Sequence, residues 1–223
     1  MTTRIWCIAL LTGCVADRPL RTVPVRLEAY TTHPHLALDT VEISLLSVHL
    51  NGPAATSVRF VPLLGPVRTA HGHPGHGATG ATVGEWLGPW TGDLLDGPHT
   101  LGQASVYAGD IATGQVTMGT DTRVQLVGTV TPDHSATPLD IELDLTIDHT
   151  GTTLPLVVTV PEEATTGVLE VSVDLDTALS FVDWSTADTD GDGRFTHLDS
   201  AFADSLTFGI TNSQTWALAL ETP

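Results

Sequence analysis

Twelve consecutive residues, from Asp188 to Asp199, carry oxygen ligands at the spacing that a divalent cation needs. Calcium takes six to eight oxygen ligands, and a loop of this length supplies them from its positions 1, 3, 5, 7, 9 and 12, with glycine at position 6. Those six ligand positions are filled by Asp188, Asp190, Asp192, the carbonyl of Arg194, Thr196 and Asp199. Gly193 occupies position 6, where the turn requires a positive φ angle, and Phe195 is expected to pack into the core. The sequence therefore predicts a calcium site in this loop.

The same loop resembles the calcium loops of EF-hand proteins. Its run Asp-Thr-Asp-Gly-Asp-Gly-Arg-Phe, and the aspartate at its last position, are similar to dockerin-type repeats. The resemblance implies calcium binding; dockerins carry two such repeats whereas this chain has one, so the resemblance does not extend to a cohesin-binding role. We expect a structural site with a dissociation constant on the order of 10⁻⁴ to 10⁻³ M.

Histidines form a second candidate metal site. His71, His73 and His76 lie within six residues among glycines, and neutral imidazole binds copper(II) and zinc well. His33 and His35 are two residues apart, so in an extended segment they would face the same side and could join the first three. The alternative is a solvated loop with only adventitious metal affinity. The sequence leaves both interpretations open.

The N-terminal segment has the pattern of a signal peptide. Arg4 precedes an apolar run from Ile5 to Leu11, and the sequence Leu-Thr-Gly-Cys ends at Cys14. This resembles the lipobox of bacterial lipoproteins. The resemblance implies that residues 1–13 are removed, that Cys14 receives a lipid, and that the protein is anchored in the cell envelope, on the periplasmic side or at the cell surface. With Cys7 removed, the mature chain would have no disulfide.

Charge limits the partners that the protein can have. Among the 223 residues there are 8 basic and 26 acidic ones, all the basic ones being arginine, for a formal net charge of −18. Such a surface repels nucleic acid and anionic lipid and attracts cations. We expect no nucleic-acid partner, and the lipid on Cys14 as the only membrane anchor; the sequence does not identify a protein partner.

The elements that must position these sites are mainly strands. After a tether at 14–22, residues 23–175 contain short β-branched runs separated by Gly, Pro, Asn and Asp, which predicts an antiparallel β-sandwich of about eight strands. Strands are expected near 23–27, 41–45, 58–64, 101–107, 124–131, 141–147, 154–160 and 168–175. Residues 65–97 show no period and are expected to form a His- and Gly-rich insertion. Beside predicted turns, His99, His134 and His149 are expected at the surface.

The C-terminal segment, 176–223, has a different period. Apolar residues before and after the calcium loop recur at helical spacing, so two short helices are expected to flank it and pack on the sandwich. The tail after Thr211 fits either a helix start or a strand, because Trp216, Leu218 and Leu220 alternate.

Two functional hypotheses follow. The chain has no nucleophile motif, no zinc-protease motif and no phosphate-binding glycine loop, so we expect no enzyme activity. The first hypothesis is an envelope lipoprotein that binds structural calcium and takes up copper(II) or zinc at the histidines. In outline such a protein is similar to the methanobactin-associated periplasmic copper proteins. The alternative is a structural or adhesive lipid-anchored β-sandwich module with incidental histidines.

Overall fold

The protein is mainly β in its computed structural model, which describes residues 19–32, 35–53, 80–131, 137–149, 151–163, 167–186, 188, 190–196 and 200–221. The strands are β1 (Leu20–Tyr30), β2 (Leu36–Asn51), β3 (Thr82–Asp93), β4 (His99–Tyr107), β5 (Gly109–Thr117), β6 (Gly119–Val130), β7 (Leu139–His149), β8 (Thr152–Val160), β9 (Val168–Asp174), β10 (Arg194–Thr196) and β11 (Trp216–Glu221). The helices are α1 (Leu175–Leu179) and α2 (Ser200–Thr211), with single 3₁₀ turns at Leu94–Asp96 and Trp184–Thr186.

The strands form one curled sheet in the order β10-β7-β6-β2-β3-β4-β1-β9-β11, with β5 and β8 branching from β2. The branch is possible because β2 is 16 residues long. Its first part pairs with β6 and its last part with β5, while β3 pairs along the other edge. The branch brings β8 beside β11, although these two strands are not joined by a ladder.

The sheet is mixed, so the expectation of a purely antiparallel sheet is wrong. β1 runs parallel to β9, and β10 runs parallel to β7. A tight hairpin turn imposes an antiparallel direction only on strands that follow each other in the chain. Val25 pairs with Leu169, far along the sequence, and no turn sets the relative direction of these two strands.

Seven of the expected strands lie in β1, β2, β4, β6, β7, β8 and β9, which confirms them, whereas the expected strand at 58–64 lies outside the described residues. The described residues form eleven strands, whereas about eight were expected for the whole chain. The additional ones are β3, inside the expected insertion, together with β5, β10 and β11. Glycines at 84, 88 and 92 interrupt the alternation in β3, and they reduce the apolar signal that predicts a strand. β1 begins at Leu20, inside the expected tether.

One apolar core joins all the strands to the two helices. The burial of β7 alternates strictly, with its aliphatic side chains inside and its acidic side chains in solvent, as the sequence predicts. Leu179 of α1 and Leu206 of α2 are buried against the inner face of the sheet. In the described part of the chain, no helix is both long and apolar enough to cross a membrane.

Candidate metal centre

The acidic loop lies between the 3₁₀ turn at Trp184–Thr186 and the short strand β10. Carboxylate oxygens of Asp188, Asp190 and Asp192 come within 4.8 Å of one another, and they form a group of side chains that could hold a metal ion. Asp188 is half-buried, whereas Asp190 and Asp192 are exposed. These are the residues at positions 1, 3 and 5 of the predicted loop, and the structure brings them together.

Backbone amides hold Asp188 at the centre of the loop. Its Oδ1 accepts hydrogen bonds from the N–H groups of Gly191 at 2.8 Å and Asp192 at 3.0 Å, and its Oδ2 accepts one from Gly193 at 3.0 Å. The chain therefore wraps around this carboxylate. Amides orient the other two carboxylates as well, because Asp190 accepts from the N–H of Asp192 and Asp192 from that of Arg194.

Two glycines allow the tight wrap. Gly191 and Gly193 have φ angles of +78° and +82°, in the left-handed region that L-residues with a side chain rarely adopt. Gly193 stands at the sixth position, where a calcium loop of this type makes its sharp turn. The sequence predicted positive φ at Gly193, and the structure confirms it.

Phe195 anchors the loop in the core. Its side chain is 0% exposed and meets the ring of Trp184 edge to face, with 5.3 Å between the ring centroids. The predicted burial of Phe195 is therefore confirmed. Because the adjacent Arg194 would supply its carbonyl at position 7, the buried ring positions the backbone that carries a candidate ligand.

The loop also connects to the edge of the sheet. β10 pairs in parallel with Asp140–Glu142 of β7, and the N–H of Asp140 donates to the carbonyl of Gly193 at 3.1 Å. The guanidinium of Arg194 forms an ion pair with Glu142 at the surface. These contacts fasten the acidic loop to the main sheet from its C-terminal side.

Only some of the remaining predicted ligands lie in the described residues. Thr196 is half-buried in β10 and has a bonding partner, whereas Asp199 lies outside the described residues. His71, His73, His76 and His33 also lie outside them, as do Cys14 and the signal segment 1–13. His35 is described, at the exposed start of β2. The convergence of the five histidines stays a prediction.

Two histidines expected at the surface are not simply solvated. His149 is 5% exposed and bonds on both ring nitrogens, so the prediction for it is wrong. His99 is half-buried, packs against Trp90 and bonds to the carbonyl of Asp93 at 2.7 Å. The alternation of β7 would have predicted the burial of His149, because this residue follows Leu145 and Ile147 on the buried face of the strand.

The comparisons with known proteins add no family to these observations. No protein-family model matches the chain, and neither the curated proteins nor the solved structures gave a significant match.

Proposed function

We propose that the protein is a cell-envelope lipoprotein that binds calcium in the loop 188–199, and that this calcium stabilises the attachment of the C-terminal segment to the sheet. One observation carries the proposal: three carboxylates, at positions 1, 3 and 5 of a calcium-type loop, come within 4.8 Å of one another. The spacing in sequence matches the calcium-loop pattern, and the distances in space are short enough for the three carboxylates to share one ion.

The electrostatics of the loop favour a cation. Three like charges this close repel one another, and a divalent ion between them removes the repulsion. The guanidinium of Arg194, which belongs to the loop, pairs with Glu142 at the surface. The remaining ligands would be the Arg194 carbonyl, Thr196 and Asp199, which completes a set of hard oxygen donors suited to calcium.

Bound calcium would act on more than the loop itself. β10 follows the three aspartates directly, covers part of the edge of β7, and inserts Phe195 into the core. α2 begins four residues after β10 and packs on the same core. An ion that orders the loop would therefore also help to order β10 and the start of α2, whereas without the ion they would be held by packing and by the pairing of β10 with β7.

Terbium luminescence tests this proposal. Terbium takes calcium's oxygen ligands, and Trp184, four residues before Asp188 and in contact with Phe195 of the loop, is the expected sensitiser of its emission. We expect sensitised emission from the chelator-stripped protein, displacement of the terbium by excess calcium, and loss of the emission in an Asp190→Asn, Asp192→Asn double variant. Asp110→Asn, at an exposed carboxylate on β5, is the matched control. Equal emission from the double variant and the control would overturn the proposal.

The lipid anchor is a separate part of the proposal and has its own test. It is supported by the sequence Leu11-Thr12-Gly13-Cys14 after an apolar run. In a bacterial host, the protein should partition with membranes and yield an acylated N-terminal peptide that begins at Cys14. The Cys14→Ala variant should lose both properties, and an unacylated wild-type N-terminus would contradict the anchor.

We further infer that the curled sheet is arranged as two facing layers, as a sandwich would be. A Cβ built on Gly114 of β5 would clash with Cδ1 of Leu218 in β11, although many strands separate the two along the sheet. A Gly114→Val variant should therefore destabilise the protein, and an unchanged stability would count against this packing.

A further inference from the structure

His149 lies at the meeting point of four segments. It ends β7, and its Nδ1 accepts a hydrogen bond at 3.0 Å from the N–H of Met118, which connects β5 to β6. Its Nε2 lies 2.6 Å from Oγ1 of Thr152 at the start of β8. That hydroxyl donates at 2.9 Å to the carbonyl of Thr211, the last residue of α2. We call this the His149 chain.

The donors and acceptors of the His149 chain determine its protonation. A backbone N–H can only donate, so Nδ1 must be unprotonated. The single proton of Thr152 goes to the Thr211 carbonyl, so Nε2 must carry the proton that it donates to Thr152. The ring is therefore neutral, in its Nε2–H form. A second proton on Nδ1 would point at the N–H of Met118 and leave that buried amide without an acceptor.

Burial acts in the same direction. Removal of the ring from water disfavours its charged form and lowers the pKa of His149 below 6.5. No charged side chain among the described residues opposes this effect, because the ionisable groups on the surrounding elements are all exposed: Asp110 on β5, Asp121 and Arg123 on β6, Asp140, Glu142, Asp144 and Asp148 on β7, and Asp204 on α2. β8 has none.

We propose that the His149 chain is a proton-sensitive connection that holds the C-terminal end of α2 to the sheet at neutral pH and releases it in acid. Thr211 supplies one of the helix-terminal carbonyls that have no partner within a helix. Protonation of Nδ1 leaves the Met118 amide without an acceptor and places a charge in a buried site, so the ring moves out of it. The Thr152 hydroxyl then loses the N–H that orients it towards the Thr211 carbonyl, and the contact between β8 and α2 weakens. The device is independent of calcium, because it lies at the opposite end of α2 from the acidic loop.

The direction of the pH effect follows from linkage. With a folded-state pKa below the unfolded value of 6.5, the unfolded chain binds the proton first as pH falls. The stabilisation that neutral His149 gives to the folded state is therefore complete above the unfolded pKa. It decreases as the pH falls below that value, until the pH reaches the lower pKa of the folded state. If the histidine stays neutral in the folded state and takes up a proton only in the unfolded chain, the folding equilibrium constant falls by up to about tenfold as the pH is lowered from 7.5 to 5.5.

Three measurements at constant calcium test the proposal. NMR titration of the wild type should place the His149 transition below that of a solvated histidine, and the amide protection factors of Met118 and of the last turn of α2 should fall together with it. His49→Asn, at a half-buried histidine of β2, is the control. Between pH 7.5 and 5.5 the free energy of unfolding in urea should fall more in the wild type and in this control than in His149→Asn, because asparagine keeps a hydrogen-bond acceptor but cannot take up a proton.

Equal pH dependence of unfolding in all three proteins would overturn the proposal. So would a Met118 amide that stays protected after His149 has titrated. If His149→Asn does not fold, the titration and the exchange of the wild type decide the question by themselves.

Discussion

Removal of the Phe195 ring is the most informative single perturbation of the C-terminal segment. The ring is fully buried, contacts Trp184, and belongs to the strand that pairs with β7. A buried Phe→Ala change costs about 3 to 5 kcal/mol, through lost transfer free energy and the cavity that remains. We therefore expect Phe195→Ala to lower the free energy of unfolding by about that amount, and to weaken calcium binding because the Arg194 carbonyl loses its anchor.

Urea unfolding monitored by circular dichroism measures this cost, in calcium and in EDTA. Phe208→Ala is the matched control, because Phe208 on α2 is 57% exposed and meets Phe181 edge to face with 5.0 Å between the centroids. Its loss should cost only about 0.5 to 1.5 kcal/mol. Equal costs for the two variants, or unchanged calcium affinity in Phe195→Ala, would refute the reasoning that Phe195 anchors the loop.

Three further variants test other parts of the account. A Cβ on Gly209 of α2 would collide with the carbonyl oxygen of Ala178 in α1, so Gly209→Ala should cost about 1 to 3 kcal/mol in urea unfolding, despite the higher helix propensity of alanine; a gain in stability would contradict the close helix contact. Asp176 accepts hydrogen bonds from the Thr31 hydroxyl and from both the N–H and the hydroxyl of Thr32, so Asp176→Ala should cost about 1 to 3 kcal/mol by the same measurement. Replacement of His71, His73 and His76 by alanine should abolish micromolar binding of copper(II) or zinc in calorimetry; absence of such binding in the wild type would favour the structural or adhesive module.

The sequence predicts those parts of the fold in which local pattern and burial agree. β7 alternates apolar and acidic residues, and each apolar one is buried in the structure. In the acidic loop, the ligand spacing and the glycine at position 6 both depend on neighbouring residues alone. Local chemistry therefore predicted the positive φ of Gly193 and the convergence of the three aspartates.

Pairings between distant segments were not predictable in the same way. The sequence around Arg194–Thr196 does not indicate that these residues pair in parallel with β7. Three residues are too few to show an alternation of apolar and polar side chains, and the partner strand lies more than fifty residues earlier in the chain. His149 shows the same limit. Its position beside a turn suggested solvent, whereas Met118 and Thr152, which belong to other elements, determine its burial and its bonds.

The melting temperature with and without calcium tests the central claim most directly. For a dissociation constant of about 10⁻⁴ to 10⁻³ M, calcium at about 10 mM should stabilise the chelator-stripped protein by about 1.4 to 2.7 kcal/mol. In a chain of this length, that is a rise of about 3 to 11 °C. The rise should disappear in the Asp190→Asn, Asp192→Asn variant and persist in Asp110→Asn. Identical melts in calcium and EDTA would contradict the account.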